Sequence, residues 1–324
     1  MHPEQETSAV KRSRKTCLLF PGQGAQFVGM GKELCEEFEA ARRTFGRASE
    51  VLGRDIADIC FNGPEHMLKR TDICQPAILT TSIAALNAVR DACDDEFSPA
   101  VCAGLSLGEY SAHVAAGAIG LEEAVTLTAA RGSYMQQACE INPGTMYSVM
   151  GLEAGEVENI CRELREEGGS VWPANYNSPT QLVISGEESA AAEAARLCGE
   201  KGARRTIQLK VAGPFHTPLM APAAERLRDK LADVDRRPGR PAVIPNVSAT
   251  PDKTAEEIKD SLAAQVTRPV KWVQSIEWCR EENISRFLEI GPGKVLTGLL
   301  RRIDRSLSCT PLLSPPDIRK ICSG

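Results

Sequence analysis

Four short apolar runs, Cys17 to Phe20, Ala100 to Gly104, Ala242 to Val247 and Phe287 to Gly291, are separated by glycine-rich turns and amphipathic stretches. Among those stretches, Gln75 to Ala92, Leu121 to Cys139, Thr217 to Val234 and Val295 to Ile303 carry a helical pattern. Alternation of this kind predicts a parallel sheet covered by helices. No internal repeat or low-complexity tract interrupts it.

Between residues 142 and 212 the pattern changes. Thr145 to Leu152, Val171 to Asn177, Gln181 to Gly186 and Arg204 to Val211 read as strands, with helical segments near residues 155–167 and 187–201. The order β-α-β-β-α-β is the ferredoxin-like arrangement. Asn142-Pro143-Gly144 and Ala212-Gly213-Pro214 are turn signals suited to domain junctions. The expectation is an α/β protein with a large domain over 17–141 and 213–306 and a small ferredoxin-like domain inserted at 142–212. Residues 1–16 are expected as a disordered tail and 307–324 as a C-terminal tail.

A hydrophobic share of 42% suits a large buried core. The net charge of −5 supplies no field for nucleic acid or anionic lipid, although Arg204-Arg205 and Arg301-Arg302 remain available to an acidic partner. No apolar stretch reaches the roughly 18 residues that cross a bilayer, and the start of the chain has no signal-peptide core. A soluble protein that is not secreted by that route is expected, with neither nucleic acid nor membrane as a partner. The twelve cysteines are scattered without a C-x-x-C pair or a His-linked spacing. They read as buried free thiols of a reducing compartment rather than as disulfides or metal ligands.

The chemistry centres on Val101-Cys102-Ala103-Gly104-Leu105-Ser106-Leu107-Gly108-Glu109, a G-x-S-x-G pattern after an apolar strand and before a helical run. Glycines at 104 and 108 leave room for a sharp strand-to-helix turn that exposes the Ser106 hydroxyl. The Leu107 N–H then points where an oxyanion would form. A second glycine-rich loop, Phe20-Pro21-Gly22-Gln23-Gly24-Ala25-Gln26, also follows a strand. It is not a dinucleotide fingerprint, because Phe27 stands where the third glycine belongs, and the Walker pattern ending at Gly31-Lys32 fails at Gln26 and Glu33. Two readings stay open for it: a tight turn, or a loop whose Gln23 N–H is a second oxyanion donor.

A serine nucleophile needs a base, most often histidine. The chain has four. His2 lies in the tail, His66 in an exposed helix start, and His113 about 10 Å along the helix axis from Ser106, beyond hydrogen-bond reach. Elimination leaves His216, in the loop Gly213-Pro214-Phe215-His216-Thr217 where the inserted domain returns to the large one.

Together these residues carry a resemblance to the malonyl-CoA:acyl carrier protein transacylases of dissociated fatty-acid synthesis. The resemblance runs from about Cys17 to Ile303. It rests on Phe20 to Gln26, Gly104 to Tyr110, Arg131-Gly132 with Met135-Gln136, Asn175-Tyr176-Asn177-Ser178-Pro179 and Phe215-His216-Thr217. Pro245-Asn246-Val247, Gln265 with Pro269-Val270-Lys271-Trp272, and Gly291 to Leu296 complete it. It implies a hydrolase-like α/β core with a ferredoxin-like insertion and an active site in the cleft between them. It also implies Ser106 as nucleophile, His216 as base, and the backbone carbonyl of Gln265 orienting the imidazole. Gln23 and Leu107 would form the oxyanion hole, Arg131 would bind the malonyl carboxylate, and Asn175 and Asn177 would shape the site near His216. Without the resemblance, Arg131 reads as a solvated helix arginine. In polyketide relatives a phenylalanine before the active histidine accompanies malonyl, so Phe215 favours that acyl group. Leu105 stands where many members carry histidine, a feature of plastid-type enzymes.

The implied reaction is a ping-pong transfer from malonyl-CoA to the phosphopantetheine thiol of holo-acyl carrier protein through a malonyl ester on Ser106. No metal or cofactor is expected, and the chain is expected to act as a monomer in the bacterial cytoplasm or in the stroma of a plastid or apicoplast. Rival readings are a thioesterase or esterase on the same serine, an acyltransferase serving polyketide synthesis, and a non-catalytic binding protein of the same fold.

Overall fold

A computed structural model describes residues 15–93 and 98–323. Its first sheet has five strands, all parallel: β1 (Thr16–Phe20), β2 (Val101–Gly104), β7 (Ala242–Ile244), β8 (Arg286–Ile290) and β9 (Ser308–Leu312), in the order β7-β2-β1-β8-β9. The central strands β1 and β2 are buried along their whole length, as strands covered on both faces must be. Helix Gly108–Ala115 packs against them and, with Thr71–Ala92 and Leu121–Ile141 beyond it, contributes to the largest apolar cluster. The fold is therefore α/β, a parallel sheet flanked by helices.

The remaining strands, β3 (Thr145–Met150), β4 (Val171–Ser178), β5 (Gln181–Gly186) and β6 (Arg205–Gln208), form an antiparallel sheet in the order β4-β5-β3-β6. Helices Ala154–Glu166 and Glu188–Glu200 cover it and share a separate core with Val149, Ile160, Leu182 and Ile184. The free edge of β4 meets the segment around Val270. Tyr176 N–H donates to Val270 O at 2.9 Å, and Val270 N–H donates to Ala174 O at 2.8 Å.

Three expectations change. The segment 307–324, expected as a C-terminal tail, contains the edge strand β9 and the helix Pro315–Cys322, whose Ile318 is fully buried. The expected disordered segment 1–16 lies outside the described residues except for Lys15 and Thr16, and Thr16 already belongs to β1. Ten cysteines carry free thiols, but Cys93 and Cys322 form a disulfide that ties the helix Pro315–Cys322 to the end of Thr71–Ala92.

The turn Gly291 to Lys294 has a structural role. Glu289, buried at the end of β8, accepts from Leu296 N–H and Thr297 N–H at 2.9 and 2.7 Å, placing a carboxylate at the N-terminus of helix Val295–Ile303. No described helix is long and apolar enough to cross a membrane.

Candidate active site

The C-terminal ends of β1, β2 and β7 meet at one point, where ligands bind in open α/β sheets. Between β2 and the helix Gly108–Ala115 the chain turns sharply, and Ser106 sits in that turn with φ 52°. An L-residue adopts this left-handed conformation only where its surroundings impose it. Here close packing does so: a Cβ on Gly104 would lie 2.0 Å from the Gly108 backbone, and one on Gly108 2.0 Å from Phe20 O. Asn246, just past β7, locks the turn. Its Oδ1 accepts the Ser106 N–H at 2.6 Å, and its Nδ2 donates to Gly104 O at 2.6 Å. The Ser106 N–H is thus engaged, whereas the Leu107 N–H belongs to the helix N-terminus, where amides point outward.

His216 follows β6 in a loop and also has a left-handed backbone, φ 60°. Its Nε2 is 2.9 Å from Ser106 Oγ and its Nδ1 is 2.8 Å from Gln265 O. A carbonyl can only accept, so Nδ1 carries the proton and the Nε2 lone pair accepts from the serine hydroxyl. Burial, reinforced by the Arg131 charge, pushes His216 from 6.5 down to about 4. At neutral pH the imidazole is uncharged, as a general base must be.

Arg131, in the helix Leu121–Ile141, is only 1% exposed. Its Nη1 donates to Gln75 Oε1 at 2.7 Å, and its Nη2 donates to Gln265 Oε1 at 2.9 Å and to Ser106 Oγ at 3.1 Å. The guanidinium also lies 5.6 Å from the centre of the Tyr110 ring. All three hydrogen-bond acceptors are neutral, and burial pulls the group below its ordinary pKa. A buried cation so held can receive a small anion, and its planar fork has the geometry to match a carboxylate.

The other expected residues lie in the neighbouring loops and in β4. Gln23 follows Gly22, and a Cβ on Gly22 would lie 2.3 Å from Leu105 O, so the two loops touch directly beside Ser106. Phe215 is buried in the large apolar cluster with Met135 and Met220. Asn175 is buried where β4 bridges to Val270, five residues beyond Gln265. Asn177 lies two residues further, with its Oδ1 unpartnered among the described residues. Leu105 packs on the second apolar cluster, which includes Ala103, Val270 and Trp272.

Three participants have no role in the sequence reading: Gln75, Glu109 and Asn246. Glu109 Oε2 accepts from Asn246 N–H at 2.8 Å and from Gln265 Nε2 at 2.6 Å. Position alone could have flagged Asn246, a polar residue directly after the apolar strand β7 at the sheet's C-terminal end. Glu109 and Gln75 carry no such signal, because an acidic first helical turn and a glutamine before Pro76 read as ordinary helix chemistry.

The acyl transferase domain profile matches residues 17–310. The malonyl CoA-acyl carrier protein transacylase of Bacillus subtilis is 42% identical over 304 residues, covering 94% of this chain and 95% of that protein. The protein of the same description from Escherichia coli K12 is 38% identical, covering 92% and 95%. Among solved structures, the malonyl CoA-acyl carrier protein transacylase of Coxiella burnetii superposes with a TM-score of 0.93 at 38% identity, covering 96% and 97%. A malonyl-transacylase in complex with a type II polyketide acyl carrier protein superposes with a TM-score of 0.92 at 37% identity, covering 95% and 99%.

Proposed function

This chain belongs to the acyl transferase family, among its malonyl-CoA–acyl carrier protein transacylases, and from that premise we propose that Ser106 holds the malonyl group as an ester between two thiols. The reaction moves malonyl from coenzyme A to acyl carrier protein for fatty-acid synthesis. One observation carries the ester reading. The Ser106 hydroxyl lies 2.9 Å from the base nitrogen of His216 and 3.1 Å from the guanidinium of Arg131, so nucleophile, base and carboxylate receptor share one hydrogen-bonded cluster.

In the first half-reaction His216 Nε2 takes the Ser106 proton as Oγ attacks the thioester carbon. The N–H groups of Leu107 and Gln23 receive the developing oxyanion. The C–S bond breaks, Nε2 returns the proton to the coenzyme A sulfur, and a malonyl-serine ester remains. In the second half the phosphopantetheine thiol of the carrier gives its proton to Nε2 and attacks the ester, the C–O bond breaks, and Ser106 recovers its proton. Thioester is exchanged for ester and back, so atoms and protons balance over the cycle with no change of oxidation state. Arg131 pairs with the malonyl carboxylate, while Phe215, Asn175 and Asn177 shape the surrounding walls. The strand order β4-β5-β3-β6 with two helices on one face supports reading 142–212 as a ferredoxin-like insertion whose β4 braces the Gln265–Val270 loop.

Single-turnover loading with malonyl-CoA, followed by addition of holo-acyl carrier protein, tests the reading against hydrolysis. Malonyl should stay on the enzyme until the carrier is added and then move to it. Rapid release of free malonate without carrier would make water the acceptor and the protein a thioesterase.

A further inference from the structure

Glu109 is a fully buried carboxyl that the acyl transfer does not consume. It stands in the first turn of the helix that follows Ser106. Its Oε2 accepts both of its hydrogen bonds, from Asn246 N–H and from Gln265 Nε2, while Oε1 is buried with no partner among the described residues. Gln265 Nε2 also donates to Ser106 O at 3.0 Å. Both amide hydrogens of Gln265 are therefore taken, and its Oε1 faces Arg131 Nη2 at 2.9 Å.

An amide side chain has one accepting end, and the groups around its other end decide which way it points. Flipped, Gln265 would set its NH2 against the guanidinium and its oxygen against Glu109 Oε2 and Ser106 O, donor against donor and acceptor against acceptor. Removing the Glu109 acceptor takes away one of the three contacts that prevent that flip. The base hangs on the same residue through a different atom, because His216 Nδ1 donates to the backbone oxygen of Gln265.

We propose that Glu109 is a positioning residue for acyl selection: its Oε2 fixes the Gln265 side-chain amide, which in turn holds Arg131 where the acyl carboxylate binds. This rests on the function proposed above. Because both accepted bonds end on one oxygen, the position requires an acceptor in that place rather than a negative charge. Burial pushes the carboxyl from 4.5 up to about 7, so near neutral pH the proton can sit on the unpartnered Oε1 without disturbing Oε2. A glutamine can offer the same oxygen and place its NH2 where Oε1 stands.

The test compares kcat/KM for malonyl-CoA and acetyl-CoA in the full-length enzyme. Glu109→Met keeps the length and removes the acceptor, and is expected to lower the malonyl-to-acetyl ratio about tenfold, mainly by raising KM for malonyl-CoA. Glu109→Gln is expected to restore the ratio. In an Arg131→Ala background Glu109→Met should change the ratio no further, since both act on one interaction. If Glu109→Met does not fold, Glu109→Asp, which withdraws the acceptor by one methylene, carries the same expectation. An unchanged ratio in the Met or Asp variant, an equal fall in Glu109→Gln, or an additive fall in the double variant overturns the proposal. A wild-type enzyme without malonyl preference, or without an acyl-serine at 106, overturns the functional reading itself and this proposal with it.

Discussion

Arg131 keeps a full charge at 1% exposure with only amide and hydroxyl oxygens on its guanidinium. Leaving a buried charge unpaired costs about 3–5 kcal/mol, so an acyl group that brings its own carboxylate gains over one that does not. Arg131→Ala should lower kcat/KM for malonyl-CoA by about two orders of magnitude while acetyl transfer is retained or rises. Equal losses for both would remove the carboxylate clamp from the account. His216 yields a second expectation. Its folded pKa is depressed to about 4, so the imidazole stays unprotonated as pH falls through 6.5. Ser106 acylation, followed in short pH jumps, should hold its rate there and decline only toward pH 4, whereas a midpoint near 6.5 would contradict the buried environment. Ser106 and His216 were legible as candidates because a motif and a shortage of histidines single them out. Gln75 and Glu109 were not, because their roles depend on packing between distant segments: Gln75 meets Arg131 across 56 residues and Glu109 meets Gln265 across 156.

Among the elements, the loop after β1 and the turn after β2 are set by glycines that permit backbone contact. Gly22→Ala would place a Cβ 2.3 Å from Leu105 O, so either the Gln23 amide or the Ser106 turn must move. Loss of an aligned oxyanion donor lowers turnover by about 10²–10³-fold. We expect Gly22→Ala to lose kcat on that scale while the melting temperature changes by only a few degrees, measured by steady-state transfer and thermal unfolding. Full activity would show that the Gln23 amide does not serve the oxyanion. The central strands were readable because they are short, apolar and buried on both faces. β9 was not. Its sequence SCTPL leaves only Leu312 buried and contains Pro311, which an edge strand tolerates and which reads in sequence as a break.

At the scale of the whole molecule, two cores meet at one loop. The antiparallel sheet has its own apolar cluster, and its edge strand β4, while paired with β5, also bridges to Val270, a few residues from the Gln265 carbonyl that accepts from His216. A change of pattern near residues 142 and 212 was visible in the sequence, and the antiparallel strands β3 to β6 lie between those positions, since each sheet needs its own periodicity. The pairing that joins them was not visible, because a single bridge between Asn175 and Val270 leaves no periodic trace. Nor was the clasp between Cys93 and Cys322, 229 residues apart, in a chain whose other cysteines are free. All of this architecture converges on one hydroxyl, and the most direct test is to find which residue becomes acylated. Intact mass and peptide mapping after incubation with malonyl-CoA should show a single malonyl adduct on the peptide containing Ser106, absent in Ser106→Ala and discharged by holo-acyl carrier protein. An adduct on another residue, or one that persists in Ser106→Ala, would contradict the account.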